Sequence, residues 1–124
     1  MEITFTVPGR PVPAVRMTQR GKYVKPQAQR YLAYKDIVGW TASAKIKTPM
    51  EGPVGIEIRV VWSGKGHKAD IDNLTKGIMD AVNMIVWHDD KQVDVIRTQR
   101  EIGEPERVEV RVWQISETGR ECLV

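Results

Sequence analysis

Residues 54–82 read "VGIEIRVVWSGKGHKADIDNLTKGIMDAV", and a change of hydrophobic period inside this stretch decides the fold. From Val54 to Trp62 the apolar residues alternate, with Val54, Ile56, Ile58 and Val60 on one side, which predicts a strand. "SGKGHK" follows as a short basic turn. Beyond it Ile71, Leu74, Ile78, Ala81, Val82 and Ile85 fall within an arc of roughly 100° on a helical projection, which predicts a helix with a core-facing stripe running to about Val82 or Ile85. Asn73, Lys76 and Asp80 fall in a different, narrow sector of the same helix.

Outward from this stretch the same tests give four more elements. "EITFTV" (2–7) alternates Ile3, Phe5 and Val7 as a strand, and "PGRPVP" (8–13) ends it, because three prolines cannot sustain ladder or helix bonding. From Gln27 to about Lys47 no proline occurs and Tyr31, Tyr34, Ile37, Val38 and Ala42 recur at helical spacing. "TPMEGP" breaks that helix. After "VWHDDKQ", the runs "VDVIRTQREI" and "RVEVRVWQI" read as two antiparallel strands joined by a "GEPE" turn. The tail "SETGRECLV" is expected to fray. The order strand, helix, strand, helix, strand, strand predicts an α+β fold, a mixed sheet with two packed helices, in a single domain over residues 1–124.

Composition narrows the function classes. Cys122 is the only cysteine, which excludes an internal disulfide and a cysteine-based zinc knuckle. No signal-peptide pattern and no run of about 18 apolar residues occurs, so a cytoplasmic protein is expected. The net charge of +3 hides an asymmetry: residues 1–50 carry nine Lys/Arg against Glu2 and Asp36, whereas residues 51–124 carry ten against fourteen acids. A basic half suits a polyanion and an acidic half suits cations, although unevenly charged solvated surface would look the same.

The chemistry-bearing residues concentrate around the second helix. Asp70 and Asp72 precede or open it, and either could cap free N–H groups, but one cap suffices. "HDD" (88–90) adds acids in the loop after the helix. Carboxylates that meet at one place repel unless a cation neutralises them, and Mg²⁺ prefers oxygen ligands with several waters retained. The two groups flank a helix whose ends lie roughly 20 Å apart, so the chain beyond Val86 must turn back along the helix if they are to meet. Lys76 and Asp80 can form an (i, i+4) surface pair, or Lys76 can stand as a fixed cation beside a metal. Competing chemistries have less support: His67 and His88 lack zinc-site spacing, Ser43, Ser63 and Ser116 lack a nucleophile context, and "GKGHK" lacks P-loop spacing. Trp40, Trp62, Trp87 and Trp113 are expected in the core rather than as base-stacking platforms.

The joint pattern "DIDNLTK" (70–76) followed by "WHDDKQV" (87–93), with "FTVPGRPVPAVRM" (5–17) ahead of a tyrosine-bearing helix, resembles the RusA family of Holliday junction resolvases. The resemblance implies a Mg²⁺-dependent, structure-selective endodeoxyribonuclease, with Mn²⁺ able to substitute. It acts as a homodimer on four-way DNA junctions in recombination and repair, and such proteins are often carried by phages or prophages. By motif, Asp70, Asp72 and Asp90 match the metal-binding catalytic carboxylates and Lys76 the essential lysine. Asp89 matches no assignable role, and Asn73 and Asp80 match recurrent positions suited to orienting ligands. The loop "GKGHKA" is less basic than in members with an arginine run there, which shifts phosphate binding toward Arg10, Arg16, Arg20 and Lys22, with Lys68 beside the first Asp. A metallonuclease for flaps or forks and a non-catalytic DNA-binding module are the alternatives.

Overall fold

The strand β2 (Val54–Trp62) buries Val54, Ile56, Ile58 and Val60 on one face, and on the other buries Gly55 and Val61 with the half-exposed Glu57 and Arg59 between them. A strand of this kind belongs inside a sheet, with neighbours on both edges. In the computed structural model, which describes residues 1–15 and 25–115, β2 has them. The other elements are β1 (Glu2–Pro8), helix α1 (Pro26–Ser43), helix α2 (Ile71–Val82), β3 (Val93–Ile102) and β4 (Arg107–Gln114), in one mixed α+β domain.

The sheet order is β1-β4-β2-β3, with β3 parallel to β2 and β4 antiparallel to both β1 and β2. This corrects the expectation of a β3–β4 hairpin. The two strands do run in opposite directions, but β2 lies between them. The short connection crosses the end of β2, where Gly103 N–H donates to Trp62 O at 2.9 Å. The physical reason is burial: β3 is charged and half-exposed along its length, which suits an edge, whereas a hairpin neighbouring β2 would hold it inside.

Both helices contribute to one core on one face of the sheet, where Phe5, Ile56, Ile58 and Val110 meet Val38, Ala42, Leu74 and Ile78. Tyr31 ties the helices together by donating to Asp80 Oδ2 at 3.2 Å. Helix α1 ends at Ser43 rather than near Lys47, because the chain turns there to bury Ile46 and Met50. Trp40 departs from the core expectation: it is 70% exposed beside Ile37 on the outer face of α1. Trp87 is in the core as expected, whereas Trp113 is buried on the opposite sheet face and Trp62 is only half-buried at the end of β2.

The opposite sheet face is uncovered and carries a lattice of ion pairs. Arg59 bonds Glu101 on β3 and Glu109 on β4, Arg107 joins Glu109, and Arg111 bridges Glu57 and Glu2. At one end of the lattice the Trp113 indole lies flat over Gly55, with the Arg111 guanidinium 4.2 Å from the ring centroid. A Cβ at Gly55 would overlap the indole. Gly55→Ala is therefore expected to destabilise the fold by about 1–3 kcal/mol through overpacking. In a Trp113→Ala background the same substitution should cost less than about 0.5 kcal/mol, since the overlapped ring is gone. Urea unfolding of the four variants in this cycle tests the pairing.

Candidate functional site

β1, β2 and β3 all point the same way, so their C-terminal ends form one rim. In open sheets with parallel strands this is where connecting loops leave a crevice for ligands. Here the segment after β1 and the β2–α2 link meet. Gly9 N–H donates to Glu106 O at 2.9 Å, and Ala14 N–H donates to Asn73 O at 3.0 Å, so the proline-rich segment is strapped across the rim onto α2. Arg10 holds the middle of the strap: its guanidinium donates to both carboxylate oxygens of Glu106, at 3.0 and 2.8 Å, and to Lys65 O.

Asp70 and Asp72 sit on this rim. Asp70 occupies the N-cap position of α2 with extended backbone, yet its side chain makes no capping hydrogen bond. Asp72 lies in the first turn, and both residues are exposed. Among the described residues neither carboxylate accepts a hydrogen bond, so the capping role expected for one of them is not filled and both are left open. Lys76 follows Asp72 by four residues, which places the two side chains on one helix face with Cβ atoms about 5–6 Å apart. No ion pair joins Lys76 to Asp80. Asp80 instead receives the Tyr31 hydroxyl, whose pKa is pushed up to about 12 by burial and then by the Asp80 charge.

"WHDDKQV" lies at the opposite end of the molecule. Helix α2 runs back along the sheet for 12 residues, about 18 Å, and β3 begins beside Val54, at the start of β2. Trp87 is fully buried and donates from Nε1 to Asp90 Oδ1 at 2.8 Å. Asp89 caps the 3-10 turn Asp90–Gln92 by accepting from Lys91 N–H at 2.8 Å. Gln92 completes the capping box, its Oε1 accepting from the Asp89 N–H while its Nε2 donates to Met50 O and Gly52 O. The motif is therefore a stiff platform that presents Asp90. Within one chain, however, the segment after Val86 does not return to the rim. Asp70 and Asp72 share the N-terminal end of α2, Asp90 is about 20 Å or more away, and among the described residues no three His, Cys, Asp or Glu side chains could jointly hold a metal.

Two open carboxylates are still a chemically apt partial site for a hard divalent cation, because Mg²⁺ is commonly held by one or two carboxylates with waters and substrate phosphate oxygens completing its shell. Of the expected DNA-contacting residues, Lys68 lies on the rim with its ammonium 5.8 Å from the Trp62 ring centroid, and Arg10 is engaged by Glu106. Arg16, Arg20 and Lys22 lie outside the described residues.

Comparison with known proteins bears directly on this arrangement. The family model described as endodeoxyribonuclease RusA matches residues 8–113, which include the strap, the rim carboxylates and the Asp90 platform. The chain belongs to the RusA family. Family membership makes it a nuclease of the Holliday junction resolvase type, acting on branched DNA in recombination and repair, in a family whose nucleases are generally dependent on divalent metal. It is also similar to YqaN of Bacillus subtilis (strain 168), described as uncharacterized, at 29% identity over 92% of this chain and 97% of that protein. Among the described residues no helix is long and apolar enough to cross a membrane.

Sequence reasoning missed several residues that build this RusA-family site. Arg100 donates to Ala69 O, immediately before Asp70, and its guanidinium lies 5.9 Å from the Trp62 centroid. Its signal was available: Arg100 shares strand parity with Ile96, Thr98 and Ile102, a cation on the helix-facing side of an edge strand. Glu106 gave no such signal, since its partners, Arg10 and Ser63, come from two distant segments. Its carboxyl is held down to about 2, mainly by the Arg10 hydrogen bonds and then by those from Ser63. A carboxyl with a lowered folded-state pKa contributes stability that is fully present above the unfolded value of 4.5 and is lost as pH falls toward 2. Wild type is therefore expected to melt above Glu106→Gln at neutral pH, with the gap closing between about pH 4.5 and pH 2. Thermal scans of both proteins across that range, at fixed salt, check it.

Proposed function

We propose that this protein is a Mg²⁺-dependent endonuclease that resolves four-way DNA junctions by paired cuts, working as a homodimer. In each site Asp70, Asp72 and Lys76 come from one protomer and Asp90 from the other. The observation that carries this reading is the separation of the motif residues to opposite ends of α2. A two-fold axis perpendicular to that helix sets the Asp90 end of one copy beside the Asp70 end of the other, and does so twice. It produces two sites related by a two-fold axis, which is what paired cuts on opposing strands require.

A bound divalent ion supplies a water of lowered pKa and a Lewis acid for the scissile phosphate. This chain's residues would do the rest. Asp70 and Asp72 face solvent at a helix N-terminus and would hold the ion, the two negative charges being moderated by the positive end of the α2 dipole. Asp90, oriented by the Trp87 indole N–H, would complete the oxygen set from the second protomer. Lys76 lies one helical turn past Asp72 and would stabilise charge developing on the phosphate oxygens. Lys68 and the basic residues of the first fifty would bind phosphates without reading sequence, so affinity should fall steeply with salt.

Asp70→Asn and Asp90→Asn are each expected to lower junction cleavage by at least about 10²-fold while retaining junction binding. Mixing and re-equilibrating the two inactive variants should restore cleavage. Half of the dimers are then mixed, and each mixed dimer holds one wild-type site and one doubly substituted site, giving about a quarter of the wild-type sites. These dimers should nick one strand and leave the opposing strand intact. Denaturing gels of an end-labelled four-way junction read both results. A mixture as inactive as its components would rule out the shared site, and Asp70→Asn cutting at the wild-type rate would rule out the catalytic assignment.

A further inference from the structure

The rim holds a recess that the carboxylate chemistry does not use. A cavity of about 280 Å³ opens between the proline-rich strap, the end of β2 and the start of α2, with Val12, Pro13, Val60, Trp62 and Leu74 among its walls. It persists because its walls cannot close: the strap is stiffened by Pro11 and Pro13, held by the Ala14–Asn73 and Gly9–Glu106 backbone bonds, and anchored through Arg10. Gly77 lets the strap lie directly on α2, since a Cβ there would crowd Tyr31 and the Ala14 nitrogen at 3.3 and 3.4 Å.

The chemistry of the recess is divided. Its walls are mostly apolar, whereas Arg30, Lys68 and Arg100 stand around it as cations. The Trp62 indole lines the recess with Lys68 and Arg100 standing over its ring, 5.8 and 5.9 Å from the centroid, so a base that stacks there lies among cations. A ligand suited to it has a planar, weakly polar portion and an anionic portion at the edge, as a nucleotide does. Position fixes which nucleotide. Lys68 and Ala69 line the recess and lead directly into Asp70, at about 3.8 Å per Cα step. A base in the recess therefore belongs to a nucleotide next to a phosphate held at Asp70 and Asp72.

We propose that this recess receives one unstacked nucleobase of the nucleotide flanking the cleaved phosphate, and that this is a source of discrimination between branch points and duplex. The inference rests on the nuclease reading of the rim carboxylates. Taking a base out of intact duplex costs unstacking and unpairing, and costs least where the base is already unpaired. At a branch point the base enters at little cost, and stacking on Trp62 rewards it. Duplex can still bind the cationic edge, but without filling the recess.

The test places 2-aminopurine singly at each of the three nucleotides on either side of the cut in a four-way junction, with Ca²⁺ replacing Mg²⁺. Wild type should change the fluorescence at one flanking position only. Trp62→Leu, which removes the stacking face, and Val12→Phe, which fills the space, should abolish that change. Each should also lower the junction-to-duplex affinity ratio about tenfold with duplex affinity unchanged. An abasic nucleotide at the same position should lower wild-type affinity by a similar factor, a measurement independent of how the variants fold. Uniform fluorescence across all positions, an abasic junction bound as tightly as the intact one, or a folded variant that keeps the position-specific change would overturn the recess while leaving the nuclease reading in place. Failure of wild type to bind junctions at all would overturn both.

Discussion

The burial of β2 at the centre of the sheet is the constraint on which the rest of the molecule depends. Four of its residues, Val54, Ile56, Ile58 and Val60, enter the helix-covered core, and Gly55 and Val61 are closed from the other side. A strand whose core face is fully closed needs its backbone N–H and C=O groups paired on both edges, and β4 comes in on one side and β3 on the other. That requirement separates two strands that are adjacent in sequence, sends the 103–106 connection across the rim, and brings Glu106 to the strap. The same arrangement makes β1, β2 and β3 co-directional and so defines the rim on which Asp70 and Asp72 stand.

Most of the element list was legible because it depends on local period. Val54–Trp62 and Ile71–Val82 are read from residues that touch the same core. Pairing was not legible in the same way. "GEPE" is turn chemistry and favours a hairpin locally, but the winning term is non-local: the burial lost if charged β3 were placed inside the sheet. Trp40 fails for a related reason, since helical spacing places it on a face without saying whether anything covers that face. The charge asymmetry of the chain was similarly ambiguous. Glu57, Glu101 and Glu109 from the acidic half are held in cross-strand pairs on the open sheet face, so much of that half's negative charge is taken up within the sheet.

The candidate site divides along the same line. Sequence pattern proposes the carboxylates as a set but carries no information on their separation, because motif spacing counts residues and not distance. The structure also distinguishes two acids that the motif leaves side by side. Asp89 is occupied in capping the 3-10 turn, and Asp90 accepts from Trp87, both residues being exposed. Gln92, which reads as an ordinary polar residue, fixes the platform by bonding to the 50–52 segment through one end of its amide and to the 88–89 backbone through the other.

On the proposed reading, the electrostatics of the rim make metal and DNA binding interdependent. Asp70 and Asp72 bring two negative charges, and Lys68, Lys76 and the positive end of the α2 dipole offset much of them. A divalent cation approaching the free protein therefore meets a weak net attraction, with only two fixed oxygen donors from one chain. A phosphate approaching without the cation meets two carboxylates at close range. Each ligand removes the penalty for the other, the phosphate by adding oxygens and negative charge, the cation by neutralising the carboxylates. By linkage this coupling is reciprocal: whatever factor DNA contributes to metal affinity, metal contributes to DNA affinity at the site. A nuclease built this way would hold its metal tightly only where a phosphate lies in the cutting position, which confines hydrolysis to DNA whose backbone can enter the rim.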